Sequence, residues 1–232
     1  MKRIAVCLKP QQLNYAEGYS VWRHFPLGIV GIKTLNYTIS ILQNEDIEII
    51  AFIMAPLNYL DKMSKLYFWG FKKIVFISDT HIAGADSFGT ATVLSKAISQ
   101  YDCDIVIAGK NSEDSCTGQV PMQIAIALNV NYYLDKTIDF QTVLKRGKAV
   151  IAVECNYPEK FPDFFTIQKG INKKADILTL RDLELSGQKL QYTDVVHVKS
   201  VEIDDRENQM VEIAPDKAAA IIKKIIEVNN DN

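Results

Sequence analysis

The sequence predicts an α/β protein with a parallel β-sheet and helices on both of its faces. The alternation of strand-like and helix-like segments predicts the class, and the composition and length are compatible with it. Up to about residue 130, short runs rich in β-branched residues alternate with longer segments in which apolar residues recur with the helical period. The composition is that of an ordinary globular chain, with 48% hydrophobic and 23% charged residues in 232. This length suits one large α/β domain, or a smaller domain with an extended tail.

Four strands are predicted in this part of the chain, at residues 4–8, 47–53, 73–77 and 104–108. A helical segment follows each strand, and strands joined by helices run parallel to one another. Parallel sheets bury both faces, so we expect helices on each side of this one.

The two helices after the third and fourth strands are the most regular. Asp86 is a favourable N-cap for the first, whose inner face carries Thr90, Val93, Leu94, Ala97 and Ile98. The second is predicted to begin at Thr117, with Pro121 in its first turn, where proline is tolerated. Its predicted inner face comprises Val120, Ile124, Ala127 and Leu128.

After residue 130 the pattern changes. Residues 137–144 and 149–155 are predicted as strands joined by a hairpin turn at 145–148, because Gly147 tolerates positive φ. Residues 164–167 are predicted as a further strand, so we expect antiparallel or mixed pairing in this half. The α/β domain is placed at residues 1–188. Residues 189–232 form a predicted C-terminal arm, whose amphipathic helix over 215–228 packs on its own domain or on a partner.

Composition excludes several classes of function. A formal net charge of −2 provides no basic field for nucleic acid. The four cysteines and three histidines are scattered, without the spacing of a metal site or a disulfide framework. No apolar run approaches the roughly 20 residues that span a bilayer, and the apolar opening is too short for a secretory signal. We therefore expect a soluble cytoplasmic protein with reduced thiols.

Catalytic motifs give no clear candidate. The sequence has no G-x-S-x-G elbow and no close pair of carboxylates with an acid–base role. His24 and His81 are isolated, and Cys116 near a helix start has no base partner in its neighbourhood of the sequence. These residues are interpreted as structural.

The turn after the fourth strand is the most informative site. Ligands of open parallel sheets bind beyond the carboxyl ends of the strands, where the strand order reverses. This rule selects the turns after Cys7, Ile53 and Ala108. In the last turn, Ser115 and Thr117 offer hydroxyl groups, and a helix start provides free N–H groups for a phosphate. The same residues also fit a capped helix with a solvated loop.

Two segments carry a resemblance to the beta subunit of electron transfer flavoproteins, a family that includes the FixA-like proteins. The first is the loop Gly109, Lys110, Asn111, Ser112, Glu113, Asp114, Ser115, Cys116, Thr117, Gly118, Gln119 and Val120, which is similar to the family's nucleotide loop. The second is the segment 83–92, Ala-Gly-Ala-Asp-Ser-Phe-Gly-Thr-Ala-Thr, which resembles the family's Ala-Gly-Ala-Asp-Thr-x-Ala-Thr.

The resemblance implies a Rossmann-like fold of the adenine nucleotide alpha hydrolase-like type, with AMP or a second FAD bound in this subunit. The whole loop 109–120 would hold the phosphates, Cys7 and Met54 would line the adenine pocket, and Asp86 and Thr90 would add cofactor contacts. The electron-carrying FAD would lie mainly in an alpha subunit. The implied function is an electron carrier without catalytic side chains, a heterodimer that passes electrons between a dehydrogenase or NADH and an acceptor.

Three departures from the family pattern limit what carries over. Residues 9–13 read Lys-Pro-Gln-Gln-Leu instead of Lys-Gln-Val-Pro-Asp. The family's helix start Asn-Pro-Tyr/Phe-Asp is absent, and residues 25–28, Phe-Pro-Leu-Gly, are interpreted as standing in its place. Cys116 replaces an acidic residue. Two alternative functions remain: a nucleotide-sensing, stress-type homodimer without electron transfer, and an interaction subunit with an empty pocket.

Overall fold

The structure, a computed structural model, describes residues 2–11, 26–41, 47–112 and 116–193. Within these ranges, seven parallel strands form one sheet: β1 Lys2–Cys7, β2 Ile47–Met54, β3 Lys73–Ile77, β4 Ile105–Gly109, β5 Asn131–Leu134, β6 Ala149–Val153 and β7 Asp176–Leu178. Their order across the sheet is β5-β6-β4-β1-β2-β3-β7. All six pairings are parallel, which confirms the predicted fold class.

Six α-helices connect the strands in the described ranges: α1 Ile29–Ile41, α2 Leu60–Ser64, α3 Ser87–Gln100, α4 Val120–Leu128, α5 Phe140–Arg146 and α6 Phe164–Gly170. Short 3₁₀ turns cover Leu57–Tyr59, Lys65–Trp69 and Thr80–Ile82. Among the described residues, none of the helices is long and apolar enough to cross a bilayer.

The core has one layer on each face of the sheet. One layer packs alternate residues of the central strands against α1, the 60–69 segment and α5; Leu35, Met63 and Val143 are fully buried there. The other layer packs the remaining strand residues against α3 and α4, with Val93 and Ile124 fully buried. Each central strand contributes to both layers, and this explains its nearly continuous apolar sequence.

Helix α3 forms as its sequence predicts. The side chain of Asp86 accepts a hydrogen bond from the N–H of Gly89 at 2.9 Å and caps the first turn. The apolar stripe behind it, from Val93 to Ile98, is buried. Thr90 is only half-buried.

The second half of the sheet differs from the prediction. Residues 140–146 form α5 instead of a strand, so 145–148 is a helix end and not a hairpin turn. Residues 164–167 belong to α6. The side chains of Asp139 and Asp163 cap these two helices. Asp139 accepts a hydrogen bond from the N–H of Thr142, and Asp163 accepts one from the N–H of Thr166. Strand β6 then pairs in parallel with both β4 and β5, so the expected antiparallel or mixed pairing was wrong.

Helix α4 also begins later than predicted. Its first residue is Val120, with Gln119 as N-cap, so Thr117 and Gly118 belong to the preceding loop. Its buried face carries Pro121, Ile124 and Ala125. Ala127, predicted to face inward, is exposed.

The reversal of strand order lies at β1, which pairs with β2 on one side and with β4 on the other. At its carboxyl end, Cys7 is in register with Phe52 of β2 and with Ala108 of β4. The described residues belong to one compact unit, Met1–Asp194. The predicted helix over 215–228, the residues Glu113, Asp114 and Ser115 of the loop, and Phe25 lie outside the described residues.

Candidate functional site

A cleft of about 460 Å³ lies at the carboxyl edge of the sheet, at the reversal of strand order between β1 and β4. The ends of β1, β2 and β4 form its floor, and the N-terminal parts of α1, α3 and α4 form its walls. Of the predicted site residues, Cys7, Met54, Asp86, Thr90, Gly109, Lys110, Asn111, Ser112, Thr117, Gly118, Gln119 and Val120 line this cleft. The strand-end rule and the loop pattern therefore select the same place in the molecule.

The floor of the cleft is apolar. Phe52, Leu94 and Ala108 are buried side chains that also line the cleft. Burial raises the pKa of the Cys7 thiol to about 12. Cys7 is therefore a neutral thiol at physiological pH, and it contributes a small, polarisable surface rather than a nucleophile.

Helix α1 approaches the end of β4 closely, and Gly109 makes this approach possible. A β-carbon at Gly109 would overlap Cγ1 of Val30 and would lie 3.2 Å from Oγ1 of Thr34. The hydroxyl of Thr34 donates to the carbonyl of Val30 at 2.8 Å, which turns it toward its own helix. The close approach of α1 to Gly109 positions one wall of the cleft, which comprises Gly28, Val30, Gly31 and Thr34.

The loop between β4 and α4 has an unusual backbone. Gly118 has φ of +64°, and a β-carbon there would lie 2.7 Å from Oδ1 of Asn111. Cys116 also has a positive φ, +50°, and its N–H donates to the carbonyl of Ser112 at 3.0 Å. Cys116 is exposed and is not one of the residues that line the cleft. It is therefore a turn residue with a left-handed backbone conformation, which asparagine and aspartate adopt more readily than most residues.

Two helix N-termini meet at the cleft. The hydroxyl oxygens of Ser87, the first residue of α3, and Thr117, before α4, lie 3.1 Å apart. The first N–H groups of each helix have no intrahelical acceptor, and the helix dipole makes this end positive. The start of α4 therefore suits an anionic group of a ligand, whereas the carboxylate of Asp86 already caps the start of α3.

Lys110 is paired with a carboxylate of the protein. Its ammonium donates to Oε1 of Glu154 at 2.8 Å, and Lys136 contacts Oε2 of the same residue at 2.7 Å. The hydrogen bonds from these two lysines lower the pKa of Glu154 to about 2. Lys110 is thus part of a three-residue ion cluster at the edge of the cleft, and its charge is shared with Glu154.

Asp86 lines the cleft, but both of its carboxylate oxygens are engaged within the protein. One accepts the N–H of Gly89, and the other accepts the N–H groups of Tyr192 and Thr193. These hydrogen bonds, that of Gly89 first, lower the pKa of the carboxyl group. Asp86 therefore acts on the cleft wall indirectly, because its carboxylate holds neighbouring residues in place.

Several lining residues were missed by the sequence reasoning. Gly31 follows the start of α1, and its three-residue spacing from Gly28, which belongs to the predicted counterpart at 25–28, is a signal for close approach. Phe52 and Leu94 carry no signal beyond hydrophobicity. Thr193 reaches the cleft from a distant part of the chain, and only the fold reveals it.

The fold and the cleft together define a class: α/β proteins with a parallel sheet and a ligand cleft at the reversal of strand order. A family model described as "Electron transfer flavoprotein domain" matches residues 34–190. The chain is also 33% identical over 141 residues to "Electron transfer flavoprotein subunit beta" of Thermoanaerobacterium thermosaccharolyticum, a match that covers 52% of this chain and 54% of that protein. The chain belongs to the electron transfer flavoprotein domain family, as the resemblance of its loops predicted. It spans about half the length of this relative.

Proposed function

We propose that the chain acts as the beta subunit of an electron transfer flavoprotein. In this role it holds AMP or a second FAD in the cleft between β1 and β4, and it forms a heterodimer with an FAD-binding alpha subunit. The observation that carries the proposal is the convergence of loop residues 109–112 and 117–120 with Cys7 and Met54 on one cleft. The matched family domain and the similar beta subunit give this cleft its chemical interpretation.

The proposed phosphate contacts are backbone groups and hydroxyls. The N–H groups around Gly118 to Val120 precede and begin α4, where they lack intrahelical acceptors. Gly118 has no side chain between its backbone and the cleft, and Thr117 and Ser87 add hydroxyl groups at the rim. A phosphate bound here is held by dipoles and neutral donors, with Lys110 and its Glu154 partner at the side.

The proposed base contacts are the apolar residues of the floor. Cys7, Phe52, Met54 and Leu94 offer a surface on which a planar ring can pack. The volume of about 460 Å³ falls within the range of small-molecule and cofactor sites, roughly 300 to 1,000 Å³. The cleft therefore combines an apolar end with a polar, positively polarised end, as a nucleotide requires.

The role of the chain in electron transfer is to bind and position. A bound flavin supplies the redox chemistry, and a protein tunes and orients such a cofactor. Cys7 stays protonated because burial raises its pKa to about 12. We therefore assign no side chain of the cleft a covalent role. The electrons pass between a dehydrogenase or NADH and an acceptor.

Nucleotide release tests the proposal. The chain is coexpressed with a candidate FAD-binding alpha subunit, the purified complex is denatured, and the released nucleotides are separated by chromatography. One FAD with one AMP, or two FAD, for each heterodimer is the expected result. The first ratio identifies AMP as the occupant of the cleft and the second identifies a second FAD. A stable complex with only the FAD of the alpha subunit, or a homodimer that binds nucleotide without an alpha subunit, contradicts the proposal.

A further inference from the structure

The chain crosses the start of α3 at residues 190–193, here called the crossing segment. The N–H of Asp86 donates to the carbonyl of Leu190 at 3.2 Å, and the Leu190 side chain is buried in the core. A β-carbon at Gly89 would collide with this carbonyl, so the close crossing requires glycine. The crossing segment is therefore fitted to the first turn of α3.

The two oxygens of Asp86 have separate tasks. Oδ1 accepts the N–H of Gly89 at 2.9 Å and caps α3. Oδ2 accepts the N–H of Tyr192 at 2.7 Å, the N–H of Thr193 at 2.9 Å and the hydroxyl of Thr193 at 3.2 Å. Hydrogen bonds to an ionised acceptor are stronger than neutral ones. One carboxylate thus joins the helix start to the crossing segment.

The crossing segment also borders the cleft. Thr193 lines the cleft together with Asp86, Ser87 and Thr90 of the α3 start. Tyr192 packs edge-on against Phe88, with ring centroids 5.0 Å apart. A ligand in the cleft therefore has one wall that comprises both the first turn of α3 and the end of the crossing segment.

We propose that Asp86 is a positioning residue: through Oδ2 it holds the crossing segment as a wall of the cleft, and cleft occupancy and this wall stabilise each other. The proposal rests on the proposed function, because it takes a nucleotide as the occupant. A ligand that contacts a wall only when the wall is in place favours that arrangement, and the coupling is reciprocal. The same carboxylate that caps α3 thereby sets the affinity of the site.

The substitution Asp86→Asn separates the two tasks. Its amide oxygen can replace Oδ1, and asparagine is as good an N-cap as aspartate. The NH₂ group that replaces Oδ2 cannot accept the N–H groups of Tyr192 and Thr193. Asp139→Asn is the matched control, because Asp139 caps α5 through the N–H of Thr142 at 2.9 Å and does not line the cleft.

Amide hydrogen exchange on the full chain, freed of nucleotide by dialysis, tests the wall. In Asp86→Asn we expect exchange at Tyr192 and Thr193 to be faster by about tenfold or more, as the loss of hydrogen bonds to a charged group predicts. Asp139→Asn should leave these amides unchanged. Thr193→Ala, which removes only the hydroxyl donor, gives a smaller acceleration at Tyr192 and carries this test if Asp86→Asn does not fold. Equal exchange in Asp86→Asn, or in Thr193→Ala where Asp86→Asn does not fold, overturns the proposed wall.

Titration with AMP tests the coupling. In the wild-type chain AMP should slow exchange at Tyr192 and Thr193, and in Asp86→Asn the Kd for AMP should rise about fivefold or more, the usual lower bound for coupled sites. Asp139→Asn should bind as the wild type does. AMP binding with equal affinity in Asp86→Asn overturns the coupling but leaves the proposed function in place. A wild-type chain that binds neither AMP nor FAD, alone or in complex with an alpha subunit, overturns both.

Discussion

The hydroxyl oxygens of Ser87 and Thr117 lie 3.1 Å apart, although 30 residues separate them in the sequence. This contact joins the start of α3 to the loop before α4 at the rim of the cleft. It places the starts of two helices side by side at the carboxyl edge of the sheet. The polar end of the proposed nucleotide site is therefore built from two helices and not from the β4–α4 loop alone.

Thr117→Val should weaken nucleotide binding. The substitution keeps the shape of the side chain but removes a hydroxyl that we assign to phosphate and that contacts Ser87. A hydrogen bond to a charged group contributes about 1.5 to 3 kcal/mol, so the Kd for AMP should rise about tenfold or more. Isothermal titration calorimetry measures the change. Thr92→Val is the control, because the hydroxyl of Thr92 donates to the carbonyl of Phe88 within α3; equal affinities in Thr117→Val and Thr92→Val would count against the assignment.

Gly118→Ala should destabilise the protein more than Gly187→Ala. Both glycines have a positive φ, +64° and +75°, but a β-carbon at Gly187 meets no atom within 4 Å, whereas one at Gly118 meets Oδ1 of Asn111. Left-handed backbone costs a non-glycine residue roughly 1 to 2 kcal/mol. We expect the free energy of unfolding to fall by this amount in Gly187→Ala and by about 1 kcal/mol more in Gly118→Ala, because of the added contact. Urea denaturation of both variants measures the two losses.

Asn111→Ala in the Gly118→Ala background separates the two costs. Removal of the Asn111 amide relieves the contact at 2.7 Å and leaves only the backbone cost. The double variant should therefore approach the stability loss of Gly187→Ala. A double variant that is no more stable than Gly118→Ala would show that the Asn111 contact contributes nothing.

Gly109→Ala should separate α1 from the end of β4. The added β-carbon overlaps Cγ1 of Val30 and approaches the hydroxyl of Thr34, and overpacking of this kind costs typically about 1 to 3 kcal/mol. Val30→Ala in the same chain removes the overlapping atom and should recover part of the loss. Thermal and urea unfolding of the single and double variants measures both effects. No recovery in the double variant contradicts the packing described for α1.

The ion cluster of Glu154 predicts a pH dependence of stability. Lys110 and Lys136 lower the pKa of Glu154 from its ordinary value of 4.5 to about 2. A carboxyl group with a depressed pKa in the folded state stabilises the protein above its unfolded-state pKa, and this stabilisation is lost as the pH falls from about 4.5 toward 2. The stability difference between the wild type and Glu154→Gln should therefore shrink over this range. Glu159→Gln, an exposed site, is the control; a difference that stays constant for Glu154→Gln excludes the cluster as its source.

The sequence predicts the first half of the fold well because each element there has a local signal. Strands β1 to β4 each contain a nearly continuous apolar run in the core of the sheet, and burial on both faces makes such runs recognisable. Asp86 caps α3 through its side chain, as its position before the apolar stripe predicted. The position of the cleft follows from the parallel order of these strands alone.

The second half was less predictable because its elements are short and rich in aromatic and β-branched residues. Helices α5 and α6 have seven residues each and were interpreted as strands. Their caps share one pattern, aspartate followed by phenylalanine and, two residues later, threonine: Asp139 binds the N–H and hydroxyl of Thr142, and Asp163 does the same with Thr166. This repeated capping motif was the available signal.

Part of the cleft lining was predictable from the sequence, but the tasks of its residues were not. The predicted loop residues 109–112 and 117–120 line the cleft together with Cys7 and Met54, and their contacts with a nucleotide stay a prediction. The engagement of Asp86 by Tyr192 and Thr193 depends on a crossing between residues more than 100 positions apart, and no local pattern encodes it. Likewise, the pairing of Lys110 with Glu154 follows from the parallel register of β4 and β6.

A crystal structure of the chain in complex with its alpha subunit tests the central claim most directly. The account predicts electron density for a nucleotide in the cleft between β1 and β4, with phosphate oxygens within hydrogen-bonding distance of the N–H groups of Gly118 to Val120 and the base against Cys7 and Met54. A cleft filled by protein side chains, or a nucleotide bound to this subunit elsewhere, would contradict it.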